Sequence, residues 1–186
     1  MDMYKSKWTR LQHDILRFLF VKVGIAFNER GIARALDVSP TAVSTALAGL
    51  EKEGLICITK STTMNLLSIE LNRDNNKAIE MKRVENLRFV YESGLSDFLF
   101  DEFPGCTIIL FGSYSRGEDV FGEEETRSDI DIAVIGTKGK KAELARFEKM
   151  LERPININFY ESWNAIHRHL RNNILNGILL KGGVGL

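Results

Sequence analysis

Residues 106–117, CTIILFGSYSRG, and residues 128–136, SDIDIAVIG, decide the fold of the second half of this 186-residue chain. Each stretch contains an apolar run of strand length that is bounded by glycine. Because side chains alternate across a strand, Asp129 and Asp131 are expected on one face, with the isoleucines beside them buried on the other. The two stretches therefore predict two strands and a pair of carboxylates on one strand face.

A pair of carboxylates on one face predicts a bound cation, because the two charges repel each other unless a cation neutralises them. Mg²⁺ (or Mn²⁺) suits this pair, since magnesium binds a few carboxylates together with the phosphate oxygens of a substrate. Upstream, Gly112 allows a phosphate to approach the backbone, and the short helix predicted to start there offers unpaired N–H groups. This combination is what transfer from a nucleoside triphosphate requires.

The order of these motifs resembles a known signature. The residues that carry it are, in order, Phe111-Gly112-Ser113, Arg116-Gly117 and Ser128-Asp129-Ile130-Asp131. Together they resemble the DNA polymerase β-type nucleotidyltransferase superfamily, with its small prokaryotic members, the minimal nucleotidyltransferases, as the nearest match. The resemblance covers about residues 77–186 and implies an α/β domain with a small mixed sheet.

The resemblance also implies a role for each motif residue. Binding of ATP or another nucleoside triphosphate falls to Gly112, Ser113, Arg116 and Ser128. The residues implied as catalytic and as ligands of Mg²⁺ or Mn²⁺ are Asp129 and Asp131. Arg116 could instead pair locally with Glu118 or Asp119. The group transferred is expected to be AMP, and its acceptor is left open among a protein side chain, a nucleic-acid end and a small molecule.

A third carboxylate of the family normally lies on the next strand, where it helps to activate the attacking hydroxyl. Here that strand reads RPININFY over residues 153–160, and the alternation places Asn156 and Asn158 on one face. An asparagine oxygen can ligate a metal, but the amide cannot accept a proton as a base. Two interpretations stay open: an active nucleotidyltransferase, and a catalytically degenerate domain that binds nucleotide or metal as a sensor.

The rest of the second half follows helical and strand patterns. They predict helices over about 77–100, 139–152 and 162–176 and a strand over 154–160. Tyr114 and Tyr160 are expected to flank the site. The gap between Gly117 and Ser128 is longer than is usual in the family, and its acidic run Glu123–Glu125 is expected to be a solvent loop, with a replacement metal ligand as the alternative.

The first half of the chain has a different pattern. Apolar residues recur at helical spacing over about 9–22, 28–36 and 40–51, and Ser39 and Pro40 are suited to begin the third helix. The β-rich runs LICIT and LLSIELN follow, joined by a polar turn at 60–63. Three helices and a hairpin resemble a winged helix-turn-helix over about residues 8–72.

That second resemblance implies binding of double-stranded DNA, with the third helix in the major groove and the hairpin along the backbone. The candidate DNA contacts are Thr41, Ser44, Thr45, Lys52 and Lys60. A winged helix used for protein contacts or dimerisation is the alternative. The polar segment 72–76 then separates two expected domains, 1–75 and 76–186, in an α+β chain.

The composition, 44% hydrophobic and 27% charged with no net charge, excludes a disordered, collagen-like or membrane-spanning chain. The first residues, MDMYKSKW, lack the apolar core of a signal peptide, and the two cysteines lie far apart in apolar surroundings. We therefore expect a reduced, cytoplasmic protein with no membrane partner. The oligomeric state is left open, with a dimer as one option.

Overall fold

The structure is a computed structural model that describes residues 7–60, 67–122 and 127–184. The chain divides into two compact units, Met1–Lys82 and Arg83–Leu186. The acidic run Glu123–Glu125 and most of the turn expected at 60–63 lie outside the described residues. The domain limits expected from the sequence, 1–75 and 76–186, stay a prediction.

The first unit contains three helices followed by a two-stranded antiparallel sheet. Its elements are α1 (Arg10–Val21), α2 (Glu29–Leu36), α3 (Pro40–Lys52), β1 (Ile56–Lys60) and β2 (Leu67–Leu71). Each helix begins where a polar side chain accepts a backbone N–H: Thr9 in a capping box, Asn28, and Ser39 ahead of Pro40. This is the architecture of a winged helix, and it confirms the expected fold of this half.

The core of the first unit is formed by the apolar faces of these elements. On α3, the four positions that repeat at helical spacing are all buried: Val43, Ala46, Leu47 and Leu50. Gln12 of α1 donates from Nε2 to the Ala46 carbonyl at 3.1 Å, which ties α1 to the middle of α3. The opposite face of α3 is left exposed to solvent.

The second unit is built on a small mixed sheet. Its elements are α4 (Asn76–Glu92, which starts before the division), α5 (Leu95–Glu102), β3 (Thr107–Phe111), α6 (Gly112–Arg116), β4 (Ile130–Ile135), α7 (Ala145–Leu151), β5 (Ile155–Tyr160), α8 (Arg168–Leu175) and β6 (Ile178–Lys181). The strand order is β5-β4-β3-β6. β4 pairs with β5 in parallel, while β3 is antiparallel to both of its neighbours.

Both faces of this sheet are covered. On one face Ile130, Ile132 and Val134 are fully buried, as expected, in a cluster that includes Leu99 of α5 and Phe147 of α7. On the other face a smaller cluster joins strand residues to the last helix, and its members are Ile109, Phe111, Ala133, Ile135, Ile166 and Ile174. By alternation Asp131 belongs to this second face, at the end of the sheet where β4 and β5 begin.

Three helix boundaries expected from the sequence are wrong. The helix over 77–100 is broken at Gly94, whose φ of +76° is a left-handed conformation, into α4 and α5. The helix over 139–152 starts only at Ala145; at its expected start Gly139 has a left-handed φ of +88°, and its N–H donates to the Thr137 hydroxyl. The helix over 162–176 is a short 3₁₀ turn, Trp163–Ala165, followed by α8.

Candidate functional site

The end of β3 brings a glycine into contact with a carboxylate. Phe111 is paired with Asp131 in the antiparallel register of β3 and β4. Gly112 follows with a φ of +77°, and a Cβ atom at this position would lie 2.5 Å from Oδ2 of Asp131. A side chain is therefore excluded both by the backbone conformation and by the carboxylate. Glycine at this position lets the Asp131 carboxylate lie directly against the backbone of the residue that the sequence assigned to a phosphate.

The two aspartates lie at the start of β4. Asp129 directly precedes the strand and is exposed, whereas Asp131 is half-buried within it. Burial raises the pKa of Asp131, and the negative charge of Asp129 raises it further, against the opposite effect of a hydrogen bond from Asn156. The site therefore disfavours negative charge on Asp131 until a cation is present.

The position expected to carry a third carboxylate is Asn156. The parallel register of β4 and β5 pairs Asp131 with Asn156, and Nδ2 of Asn156 donates to Oδ1 of Asp131 at 3.4 Å. Asn158 is paired with Ala133, one step further along the same face. Of the two asparagines, only Asn156 therefore contacts the acidic pair. A rotation of its amide by half a turn would present the oxygen to the same space.

The donors in this region fit Mg²⁺ held together with a nucleotide. Within 7–60, 67–122 and 127–184, no group of three or more His, Cys, Asp or Glu side chains is placed to hold a metal. Mg²⁺, however, is commonly bound by one or two carboxylates, with phosphates and waters completing its shell. Asp129 and Asp131, with the Asn156 oxygen as a neutral third donor, provide that kind of set beside the Gly112 backbone.

The other two motif residues of the short helix α6, Ser113 and Arg116, have different surroundings. No hydrogen bond joins the Ser113 hydroxyl to another residue in the described parts of the chain. Arg116 is exposed and held by two side chains: its Nε donates to Glu118 at 2.7 Å and its Nη1 to Asn173 at 3.3 Å. Arg116 therefore pairs locally with Glu118. Asp119, the other local candidate, forms its ion pair with Arg153 instead.

α6 is fixed at its C-terminal end by side chains of α4. Asn86 donates to the Tyr114 carbonyl at 2.9 Å and Arg83 to the Ser115 carbonyl at 3.0 Å. Tyr114 was expected to flank the site, which is wrong: its side chain is buried in the core cluster of the sheet. That burial raises the pKa of the Tyr114 hydroxyl. The bonds from Asn86 and Arg83 hold the five-residue helix that carries Gly112 and Ser113.

The sequence assigned Ser128 to nucleotide binding, but in the structure its hydroxyl accepts a backbone hydrogen bond. Its Oγ accepts the Val120 N–H at 2.9 Å, and its own N–H donates to the Val120 carbonyl at 3.0 Å. The two bonds close the base of the segment that joins α6 to β4. Ser128 thus fixes the chain directly before Asp129.

Sequence reasoning missed a buried polar network behind the site. Its members are Asn86, Asp119 and Arg153, and at most 2% of each is exposed. Asn86 donates to Asp119 at 2.7 Å, and Arg153 forms an ion pair with Asp119 at 3.2 Å. Asp119 and Arg153 lie 34 residues apart, and no local pattern links them. The one signal in the sequence was Asn86, a polar residue four positions before Val90 and therefore on the same face of the helix as a buried side chain.

The candidate DNA contacts of the first unit are all exposed. They are Thr41, Ser44, Thr45 and Lys52 on α3 and Lys60 at the end of β1. The Thr45 hydroxyl donates to the Thr41 carbonyl at 3.0 Å, so its oxygen is left to accept a bond from a partner. Arg30 and Arg34 of α2 are exposed as well.

The family model of the nucleotidyltransferase domain matches residues 93–180 of this chain. The small mixed sheet is what the resemblance implied for this region, and the second unit is therefore similar to a nucleotidyltransferase domain. No curated protein matches the chain significantly. Within the described parts of the chain, no helix combines the length and the apolar character needed to cross a membrane.

Two solved structures are similar to part of this chain. The adhesin competence repressor of Streptococcus pyogenes is 23% identical over 52% of this chain and 69% of that chain, with a TM-score of 0.41. The zinc-responsive MarR family member ZitR of Lactococcus lactis is 28% identical over 55% of this chain and 68% of that chain, with a TM-score of 0.39. At these TM-scores the likenesses carry no argument about what this chain binds.

Proposed function

We propose that this protein is a metal-dependent nucleotidyltransferase that moves a nucleotidyl group, AMP in the first instance, from a nucleoside triphosphate to a hydroxyl acceptor. The observation that carries the proposal is the contact between Gly112 and Asp131. It sets the glycine backbone, which can approach a phosphate closely, directly against a carboxylate on which burial disfavours negative charge unless a cation is near. A triphosphate bound together with Mg²⁺ or Mn²⁺ suits this pair, because the metal ligates carboxylate and phosphate oxygens together.

Each residue has a separate role in this proposal. The backbone at Gly112 and the hydroxyl of Ser113 bind the triphosphate, and Arg116 neutralises part of its charge. Asp129 and Asp131 hold the metal, with Asn156 as a neutral third ligand. When bound, the metal withdraws charge from the phosphate oxygens and so makes the α-phosphorus more open to attack. Ser128 keeps Asp129 in place through its bonds to Val120.

The transfer itself forms one bond and breaks one. The oxygen of the acceptor hydroxyl attacks the α-phosphorus, the bond from that phosphorus to the bridging oxygen breaks, and pyrophosphate leaves with the bonding electrons. The hydroxyl proton goes to solvent water, because the Asn156 amide beside Asp131 cannot accept it. This lack of a strong base predicts a slow enzyme whose rate rises with pH as the acceptor ionises.

The first unit is proposed to bind double-stranded DNA through the exposed face of α3, with Lys52 and Lys60 on phosphates. In this scheme DNA binding recruits the transferase domain in the cytoplasm, and the acceptor is a nearby protein side chain or a nucleic-acid end. The exposure of all five candidate contacts supports the proposal. The partners are then a nucleoside triphosphate, duplex DNA and the acceptor.

One observation favours a second candidate function. Asn156 is paired with Asp131 on the strand where the resemblance implies a carboxylate, and its amide cannot act as a base. A winged-helix regulator with a catalytically degenerate domain, which binds nucleotide or metal as a sensor, would need no base. In that case nucleotide binding alters DNA binding and no group is transferred.

Transfer of label from α-labelled ATP, and from the other nucleotides, separates the two functions. The assay combines the purified protein, Mg²⁺ or Mn²⁺ and an extract of source cells, with Asp129→Asn/Asp131→Asn as the control. A metal-dependent labelled product that the control lacks supports the transferase. Nucleotide binding by calorimetry without any labelled product contradicts the transferase and supports the sensor.

A further inference from the structure

A continuous chain of buried polar contacts lies behind the candidate site. Asn86 Nδ2 donates both to the Tyr114 carbonyl of α6, at 2.9 Å, and to Oδ1 of Asp119, at 2.7 Å. The other oxygen of Asp119, Oδ2, accepts from Nη2 of Arg153 at 3.2 Å. Neither Asp119 nor Arg153 exposes more than 1% of its surface.

The two ends of this chain reach the two halves of the site. At one end, Tyr114 is two residues beyond Gly112 on the five-residue helix α6. At the other end, Arg153 directly precedes Pro154, whose carbonyl accepts the Ile130 N–H at 2.8 Å between the two aspartates. Arg153 is also three residues before Asn156. The contacts thus run from the glycine side of the site to its acidic side.

The segment between Gly117 and Ser128 supplies part of this network. Asp119 comes from it, and the Phe121 ring lies 4.8 Å from the Arg153 guanidinium carbon, in cation–π contact. Val120 and Ser128 of the same segment are joined by two hydrogen bonds. Its described residues Asp119 and Phe121 therefore both contact the buried guanidinium of Arg153.

A buried ion pair is a costly way to stabilise a domain. Removing two charges from water offsets most of their attraction, and well-packed apolar residues of similar volume are often as stable or more stable. What an ion pair adds is direction: its hydrogen bonds are satisfied in one arrangement of the backbone only. Such a pair can fix the distance between two segments in a way that apolar packing does not.

We propose that the buried Asp119–Arg153 pair, with Asn86, is a positioning device that holds Gly112 and Ser113 on one side at a fixed distance from Asp131 and Asn156 on the other. The proposal deepens the proposed function, on which its effect on nucleotide binding rests. Asp119 and Arg153 touch neither nucleotide nor metal and act through the backbone of α6, β4 and β5.

The test replaces the pair by apolar residues of similar size, Asp119→Leu/Arg153→Met, in the full chain. The matched control is Leu99→Ala, which removes a fully buried side chain from α5 without touching the network. Affinity for Mn²⁺ with ATP is measured by calorimetry at a temperature where both variants keep the wild-type circular dichroism. Backbone amide shifts of Ser113, Asp131 and Asn156 are recorded without ligand.

The positioning role predicts that the double variant stays folded, shifts those three amides, and binds Mn²⁺ with ATP about tenfold more weakly, as is usual when the supports of metal ligands are lost. Leu99→Ala should change neither the amide chemical shifts nor the affinity for Mn²⁺ with ATP. If the folded double variant keeps the wild-type amide shifts, or the wild-type affinity, the inference is overturned. If the wild type binds no nucleotide, the proposed function fails, and the amide shifts alone decide whether the pair positions the site.

Discussion

The side-chain amide of Asn156 donates a hydrogen bond of 3.4 Å to the carboxylate of Asp131 across the parallel strands β4 and β5. Asn156 therefore occupies the place beside the acidic pair where a third carboxylate would complete a metal site. Because an amide is neutral, a cation at the proposed site would meet two negative charges from the protein instead of three. Under the proposed function this difference weakens metal binding.

Asn156→Asp is expected to tighten Mn²⁺ binding about tenfold, since added ligand charge raises cation affinity. The same change should lower stability without metal, because three carboxylates then repel one another at neutral pH. Calorimetry with Mn²⁺ and thermal unfolding with and without the metal measure both effects.

The matched control is Asn158→Asp, which adds the same charge opposite Ala133, away from Asp131. An equal gain in affinity from both variants would show that general charge, and not the position of Asn156, decides metal binding.

The sequence predicted the strands of this site and the helix starts of the first unit because those depend on neighbouring residues. The alternation around Asp131 and the Ser39-Pro40 start of α3 are local patterns, and both are present. Which of Asn156 and Asn158 contacts Asp131 could not be predicted without knowing how β4 pairs with β5. The Asp119–Arg153 pair required contact between distant segments, and β6 exists as a strand only through its pairing with β3.

Gly112→Ala is expected to destabilise the second unit by about 2–5 kcal/mol, from left-handed strain together with overpacking. Its methyl group would also meet Asp131 Oδ2 at 2.5 Å, so nucleotide binding should be lost. Chemical denaturation measures the first effect, and calorimetry with ATP and Mn²⁺ measures the second.

Gly105→Ala serves as the control for this substitution. Gly105 has nearly the same φ, +79°, but no atom lies within 4 Å of its expected Cβ. Gly105→Ala should lower the free energy of unfolding by about 1–2 kcal/mol, from backbone strain alone, and leave nucleotide binding intact. Equal losses from the two variants would argue against a special role for the space beside Asp131.

Glu53 of the first unit is expected to titrate far below an ordinary glutamate. Its Oε2 lies 2.6 Å from Lys7 Nζ and 3.0 Å from Lys77 Nζ, and their hydrogen bonds lower the pKa of Glu53 from 4.5 to about 2. Because the folded pKa is depressed, the stabilisation is complete above pH 4.5 and is lost as the pH falls towards 2. NMR titration of the Glu53 side-chain carboxyl measures this directly.

Lys77→Ala should raise the pKa of Glu53, whereas Lys52→Ala, which removes an exposed lysine from α3, should leave it in place. An ordinary Glu53 midpoint, or one that Lys77→Ala does not move, would contradict the ion pairs. Both variants keep the buried face of α3 intact.

Duplex DNA binding by the first unit is expected to weaken steeply with salt, because phosphate contacts release counterions. Lys52→Ala and Lys60→Ala should each weaken binding to all sequences and reduce the slope of log affinity against log salt by about 1. Fluorescence anisotropy over a salt series measures both. Lys141→Ala, an exposed lysine of the second unit, is the control, and a flat salt response of the wild type would count against DNA binding through phosphates.

The decisive measurement is the position of a bound metal–nucleotide complex. Mn²⁺ is paramagnetic and broadens the NMR signals of nearby amides, so adding it with ATP to the labelled protein maps the site. We expect broadening centred on Gly112, Ser113, Asp131 and Asn156, and its loss in Asp129→Asn/Asp131→Asn. Broadening centred elsewhere, or unchanged in that variant, would contradict the proposed site.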